Sequence, residues 1–269
     1  MVETIWEMAE EQAEHLFYDS EIEPLIQKIL IQKGITSIDE MHEFLSPKPR
    51  KTYDPFLMKN MAEIVQEVIR AIEAQKNIWI YGDYDVDGIS GTSLLYKVLK
   101  KIGFKVLVYI PTRDEGYGLH EEVIIKAANN GVKLIVTIDC GITALEEIYL
   151  ASSYQIDTII TDHHEPLSEL PKALAILNPK VKDSGYPFRD LAGVGVVFKL
   201  IQALHKHFSY QRDLGEEIEY LDLVALGTIA DIVPLVGENR VFVKYGLEIM
   251  PKTKNVGMKA LLKECGLEG

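Results

Sequence analysis

Cysteine is nearly absent: Cys140 and Cys265 are the two in 269 residues, and they lie far apart. That rules out a disulfide framework or a site built from thiolates, and it fits a reducing cytoplasm. Long apolar runs are missing too. None approaches the roughly 18 residues that a membrane span needs, so no membrane partner is expected. The N-terminus, MVETIWEMAEEQAEH, has neither the basic nor the apolar region of a signal peptide. No internal repeat or low-complexity segment stands out. Basic charge is in short supply as well, with 28 Lys and Arg against 41 Asp and Glu and a net charge of −13. Alone, that balance argues against a polyanionic partner. Its distribution weakens the objection, because residues 1–23 hold eight acids and no Lys or Arg, leaving −5 for the rest of the chain. Acids gathered around metal ions would also be neutralised in use.

What is present suits an ordinary globular protein. Hydrophobic residues make up 47% and charged residues 26%, enough for a sizeable core in one large domain with additions. Residues 1–45 read as a small helical N-terminal segment. EPLIQKILIQKG has helical apolar spacing and a glycine stop, and SIDEMHEFL starts from a serine cap. The proline-rich, basic SPKPRKTYDP reads as a linker over residues 46–56. FLMKNMAEIVQEVIRAIEAQK predicts one long amphipathic helix. From residue 77 short apolar runs alternate with helical segments: NIWIYGD, KVLVYIP, KLIVTID, DTIITD and LAILNP are the candidate strands. Alternation of this kind means βαβ units. The expected fold is therefore α/β, a mostly parallel sheet with helices on both faces, over residues 57–235. Residues 236–269 read as a connector helix region.

Parallel strands joined by right-handed crossovers end on one edge, and open sheets bind ligands there. That edge collects the chemistry. NIWIYGDYDVDG ends in Asp83, Asp85 and Asp87; KLIVTID ends in Asp139; DTIITDHH ends in Asp162, His163 and His164. Asp231, in GTIADIVPL, is a further acid inside an apolar stretch. Any one such acid is ordinary turn chemistry; three strand ends together are not. Clustered carboxylates cannot all stay ionised without cations. Asp with His suits Mn²⁺, Mg²⁺, Zn²⁺ or Fe²⁺, and one His among several Asp leans toward Mn²⁺ or Mg²⁺. Four to six ligands could hold two ions about 4 Å apart, the arrangement that splits phosphate esters. The second histidine, His164, then has a place against the scissile phosphate. Asp162 fits a supporting role, accepting from a ligating imidazole.

Other motif readings fail. DYDVDG begins like a calcium loop, but position twelve would be Leu94 where a Glu is needed. No Gly-Lys-Ser/Thr follows the glycines, and a dinucleotide fingerprint would put three acids where a pyrophosphate sits. Cys140 reads as a small buried residue rather than a nucleophile. AGVGVV leaves two readings open: Gly193 and Gly195 bring helix-start N–H groups to a substrate anion, or they serve close helix packing.

These motifs, in this order and spacing, resemble the DHH phosphoesterase superfamily, and within it the RecJ family of single-strand-specific exonucleases. YGDYDVDGISGT, IPTRDEGYGL, VTIDCGI, ITDHHEP, ILNPK, LAGVGVVFKL and LGTIADIVPL carry the likeness, over about residues 20–269. The resemblance implies that Asp85, Asp87, Asp139, His163 and Asp231 are metal ligands, with Asp139 bridging two ions. Asp83 occupies a third acidic position of the first motif. Tyr81 stands where related pyrophosphatases carry a metal-binding His, so one metal position would be weaker or rely on Asp83. His164 would steady the phosphate, and Arg113 and the EGYGL loop would lie beside the substrate path. The implied activity is metal-assisted hydrolysis of single-stranded DNA from the 5′ end, releasing 5′-mononucleotides in repair and recombination. A single-strand-binding protein is the implied partner. Members of that family continue into a second domain and an OB-fold, so the chain is expected to be the N-terminal part of a longer protein. Two other readings remain: a relative acting on short oligonucleotides or cyclic dinucleotides, and a non-catalytic binding module.

Overall fold

The computed structural model describes residues 21–48, 52–208 and 217–267. Most of the acidic N-terminal stretch, residues 1–20, and residues 49–51 of the expected linker lie outside them. The chain divides into two units, Met1–Lys48 and Pro49–Gly269. In the first, α1 (Pro24–Gln32) opens with proline at its start, and α2 (Ile38–Leu45) opens with a capping box. Ser37 accepts from the Glu40 N–H, and Glu40 accepts from the Ser37 N–H. Ile22, Leu30 and Met41 form a small core.

The second unit begins differently from its apolar pattern. In place of one helix from Phe56, Pro55–Leu57 forms a single 3₁₀ turn, with Asp54 accepting from the Phe56 N–H. Asn60 then takes a left-handed conformation, φ 68°, which resets the chain before α3 (Met61–Glu73). Asn is among the residues that accept this conformation.

Five strands follow: β1 (Ile78–Gly82), β2 (Val106–Tyr109), β3 (Leu134–Ile138), β4 (Asp157–Thr161) and β5 (Ala175–Leu177). All pairings are parallel and the spatial order is β2-β1-β3-β4-β5. Side chains alternate across the sheet. Ile78, Ile80, Leu134, Val136 and Ile138 join α3, α4 (Val86–Lys101) and α7 (Gly193–Phe208) in one core. Trp79, Tyr81, Ile135 and Ile160 join α5 (Glu121–Asn129) and α6 (Leu145–Ser153) in another. Helices thus cover both faces, as the alternation of the sequence requires. The helices α8 (Leu221–Ala230) and α9 (Gly237–Ile249) pack on the α4 and α7 side, and α10 (Val256–Glu264) follows. Among the described residues no helix is long and apolar enough to cross a membrane.

The strand order reverses direction between β1 and β3, and the crevice of such a sheet opens there. Backbone pairing also continues one residue past each strand end. The Asp83 N–H donates to the Ile138 carbonyl, Asp139 to Thr161 and Asp162 to Leu177. Register therefore sets Asp83, Asp139 and Asp162 side by side on one edge.

Candidate metal centre

The acids of β1 reach the edge through the start of α4. Asp85 caps that helix, accepting from the Gly88 N–H at 2.9 Å. Asp83 is buried, with Oδ1 left without a partner. Asp87 lies in the first turn and is almost wholly buried. Its two oxygens accept from the N–H groups of Gly193 and Val194, at 2.6 and 2.8 Å. The anion at the start of α7 is thus Asp87 itself. The reading of Gly193 as part of a substrate-anion cradle is corrected accordingly, since its amide is already taken; at Gly195 an added Cβ would stand 3.3 Å from Leu191. Gly193 must be glycine for another reason, since a Cβ there would stand 2.5 Å from Asp139 Oδ1.

Asp139 follows β3 with φ 62°, a left-handed conformation that turns its carboxylate into the crevice. Its Oδ1 is buried and has no hydrogen-bond partner. His163 follows β4. Its Nε2 lies 3.2 Å from Asp139 Oδ1, 3.5 Å from Asp231 Oδ2 and 3.9 Å from Asp87 Oδ2. Yet neither ring nitrogen makes a hydrogen bond. Asp231 terminates α8, and the next residue, Ile232, is itself left-handed at φ 61°. Asp231 Oδ2 is also buried and unpartnered.

Two neighbouring groups emerge, each with ligand atoms within 4.8 Å of one another: Asp87, His163 and Asp231, and Asp83, Asp85 and Asp139. A third joins Asp139 with both histidines. Burial raises the carboxyl of Asp87 well above its ordinary range, and the charge of Asp139 adds to that. Burial does the same to Asp139, reinforced by Asp162. Asp83 and Asp231 are raised by burial too, each with a contribution from Asp85. Orphaned, mutually repelling oxygen and imidazole ligands are what a divalent cation requires, and the donor set suits Mn²⁺ or Mg²⁺.

Asp162 differs from its neighbours. Both oxygens are engaged: Oδ2 accepts from the Ile142 N–H, and Oδ1 from the N–H groups of His163 and His164 and from His164 Nδ1 at 2.8 Å. Burial works against its charge, but the His164 hydrogen bond and these amides outweigh it and hold the carboxyl below its usual range. In return that hydrogen bond pushes His164 up to about 9, so its ring is charged at neutral pH. His164 is also the more open of the two imidazoles.

The rim holds groups of opposite charge. Arg113 stacks on Tyr84, which lies between Asp83 and Asp85, with its guanidinium carbon 5.2 Å from the ring centre. Lys180 pairs with Glu165 at 3.5 Å. Tyr81 is buried on the α5 and α6 side, and its hydroxyl donates to the Gly118 carbonyl, so it contributes no ligand. Cys140 is wholly buried and burial pushes its thiol up, as suits an inert residue. Sequence reasoning did not single out Tyr84 or Tyr117. The Tyr117 hydroxyl lies 3.2 Å from both the Asp139 carbonyl and His164 Nδ1. The EGYGL run was the available signal for Tyr117; no local signal marks Tyr84 as a platform for Arg113.

The model of the DHH family, N-terminal domain, matches residues 77–228. The single-stranded-DNA-specific exonuclease RecJ of Bacillus subtilis (strain 168) is 44% identical over 247 residues, covering 91% of this chain but only 30% of that protein. The chain thus spans less than a third of this relative's length. The crystal structure of RecJ from Thermus thermophilus in complex with Mn²⁺ matches with a TM-score of 0.74 at 30% identity, covering 91% of this chain and 34% of that one. A crystal structure of exonuclease RecJ bound to manganese gives 0.70 at 35% identity, covering 78% of this chain and 52% of that one.

Proposed function

The chain belongs to the DHH family, and from that premise we propose that it forms the metal-dependent catalytic part of a single-strand-specific DNA exonuclease. The reading includes digestion from the 5′ end with release of 5′-mononucleotides, in DNA repair and recombination. It also includes action in the cytoplasm beside a single-strand-binding protein. Likeness to RecJ supports the substrate and context. The observation that carries the chemistry is the set of buried, unpartnered ligand atoms on Asp83, Asp139, His163 and Asp231.

In this reading Asp87, Asp139, His163 and Asp231 would hold one Mn²⁺ or Mg²⁺, and Asp83 and Asp85, with Asp139, would hold a second. Bound there, the ions would polarise a phosphodiester and stabilise the charge that builds on its oxygens. The chain's own residues do the rest. Asp162 aims the His164 ring and favours its charged form, in which Nε2–H can donate to a phosphate oxygen as negative charge develops. Arg113, steadied by Tyr84, offers a paired donor to a neighbouring phosphate. The Gly193 and Val194 amides hold Asp87 rigid, so its carboxylate needs no reorganisation. The domain division of the proposal is a helical segment (1–45), a linker (46–56), a DHH domain (57–235) and a connector (236–269).

The test is Mn²⁺-dependent cleavage of a long single-stranded DNA labelled at either end, with a dinucleotide as the competing substrate. Stepwise release of 5′-mononucleotides, lost in Asp87→Ala and His163→Ala, is expected. Preference for the dinucleotide, or cleavage that survives both substitutions, would refute the proposal.

A further inference from the structure

The loop between β2 and α5 is fastened along its length. Glu115 accepts from the Thr112 N–H and hydroxyl, at 2.6 and 2.8 Å, and from the Tyr109 hydroxyl at 2.5 Å. The Gly118 carbonyl accepts from Tyr81, and the Gly116 carbonyl lies 3.2 Å from His120 Nε2. Gly116 and Gly118, at φ 90° and 94°, let the chain turn sharply on either side of Tyr117. So much anchoring fixes the place of one hydroxyl.

That hydroxyl has two neighbours, the Asp139 carbonyl oxygen and His164 Nδ1, each at 3.2 Å. The placement of protons assigns the roles. The Asp162 carboxylate can only accept, so His164 Nδ1, 2.8 Å away, carries a proton. The Asp139 carbonyl can only accept, so the single phenolic proton goes there. The remaining lone pairs of the Tyr117 oxygen then face the Nδ1–H, which is shared between Asp162 and Tyr117. The two rings meet edge to face, 5.6 Å between centres, while His163 lies 4.5 Å away on another side of His164. His164 Nε2 makes no hydrogen bond among the described residues.

We propose that Tyr117 is a positioning residue: its hydroxyl locks the orientation of the His164 ring and ties that ring to the left-handed backbone of Asp139. The proposal rests on the nuclease reading above for its effect on rate, but its geometry stands apart from it. Asp139 occupies a strained conformation, and its peptide is held at both ends, by Thr161 on the amide and by Tyr117 on the carbonyl. His164, the more exposed imidazole, would otherwise be fixed by Asp162 alone. One phenol thus links the backbone carbonyl of Asp139 to the imidazole that meets the phosphate.

Tyr117→Phe keeps the ring and removes the link. In the Mn²⁺-dependent cleavage assay it should lower kcat about tenfold, the scale expected for a supporting partner of a site residue, with KM unchanged. In a His164→Asn background the same substitution should change kcat by less than about twofold, because the route runs through His164. A rise in KM alone would mean that the hydroxyl merely contacts substrate, and an equal loss in both backgrounds would mean that it acts elsewhere; either overturns the proposal. Histidine-selective ¹⁵N NMR on the metal-free protein gives a readout independent of activity. The His164 Nδ1–H resonance should move in Tyr117→Phe, and an unmoved resonance overturns the proposal even if the chain cleaves nothing. A wild-type chain without cleavage whose resonance does move upholds the link and counts against the nuclease reading instead.

Discussion

Lys199 and Glu238 are as deeply buried as Asp139, but the pair and the acids of the sheet edge are treated in opposite ways. Glu238 accepts from Lys199 at 2.6 Å, from the Tyr53 N–H at 2.9 Å and from the Tyr186 hydroxyl at 2.6 Å. Lys199 also donates to the Tyr53 carbonyl at 2.9 Å. Burial lowers the Lys199 ammonium from its ordinary value, and Glu238 offsets part of that shift. This network matches donors to acceptors and pins residue 53 between α7 and α9. At the sheet edge, carboxylates face one another and an imidazole with ligand atoms unused. Buried charge that is satisfied needs nothing beyond the fold; buried charge left unsatisfied is held ready for a ligand.

The sharpest way to break that comparison is to cut each group once. His163→Ala should cost cleavage about 10³-fold, the scale of losing a preorganised electrostatic group, while the metal-free protein stays folded. Circular dichroism beside the nuclease assay separates the two effects. Glu238→Ala should do the reverse, leaving Lys199 buried and unpaired at a cost of about 3–5 kcal/mol in denaturant unfolding. A cost below about 1 kcal/mol would remove the contrast.

Smaller effects sharpen it. Mn²⁺ at a hundred times its Kd should stabilise the wild type by about 2.7 kcal/mol, read as a rise in Tm, and should do much less for Asp139→Asn. The smallest effect concerns pH. Asp83, Asp87, Asp139 and Asp231 titrate above the ordinary 3.8 in the folded, metal-free protein. Their contribution to stability is therefore full below 3.8 and is lost as pH rises through the raised folded values. Asp139→Asn, tolerated at φ 62°, should flatten that slope and add about 1 kcal/mol near neutral pH without metal. Thermal unfolding across pH, with and without chelator, checks the sign; a wild type steadily more stable toward high pH would contradict it.

The fold and the cluster were largely legible because both rest on local patterns. Apolar runs alternating with helices imply a parallel sheet, and acids at three strand ends imply a shared edge. The pairing of Ile78 with Leu134, and of Leu134 with Asp157, then set the acids together. What escaped depends on contacts distant in sequence. Asp87 and Gly193 lie 106 positions apart, and nothing local shows that the helix-start amides serve a carboxylate of the chain itself. The Tyr117 hydroxyl and the pairing of Lys199 with Glu238 are hidden for the same reason. The early start expected for α3 failed on fine chemistry, a proline turn and a left-handed Asn60 that apolar spacing does not register.

The measurement that bears most directly on the central claim is a calorimetric titration of Mn²⁺ into the metal-free chain, beside Asp139→Asn. Two saturable ions per chain, with binding crippled in the variant, are the predicted result. No saturable binding, or binding that the variant leaves intact, would contradict the claim that the unpaired acids of this edge exist to hold metal.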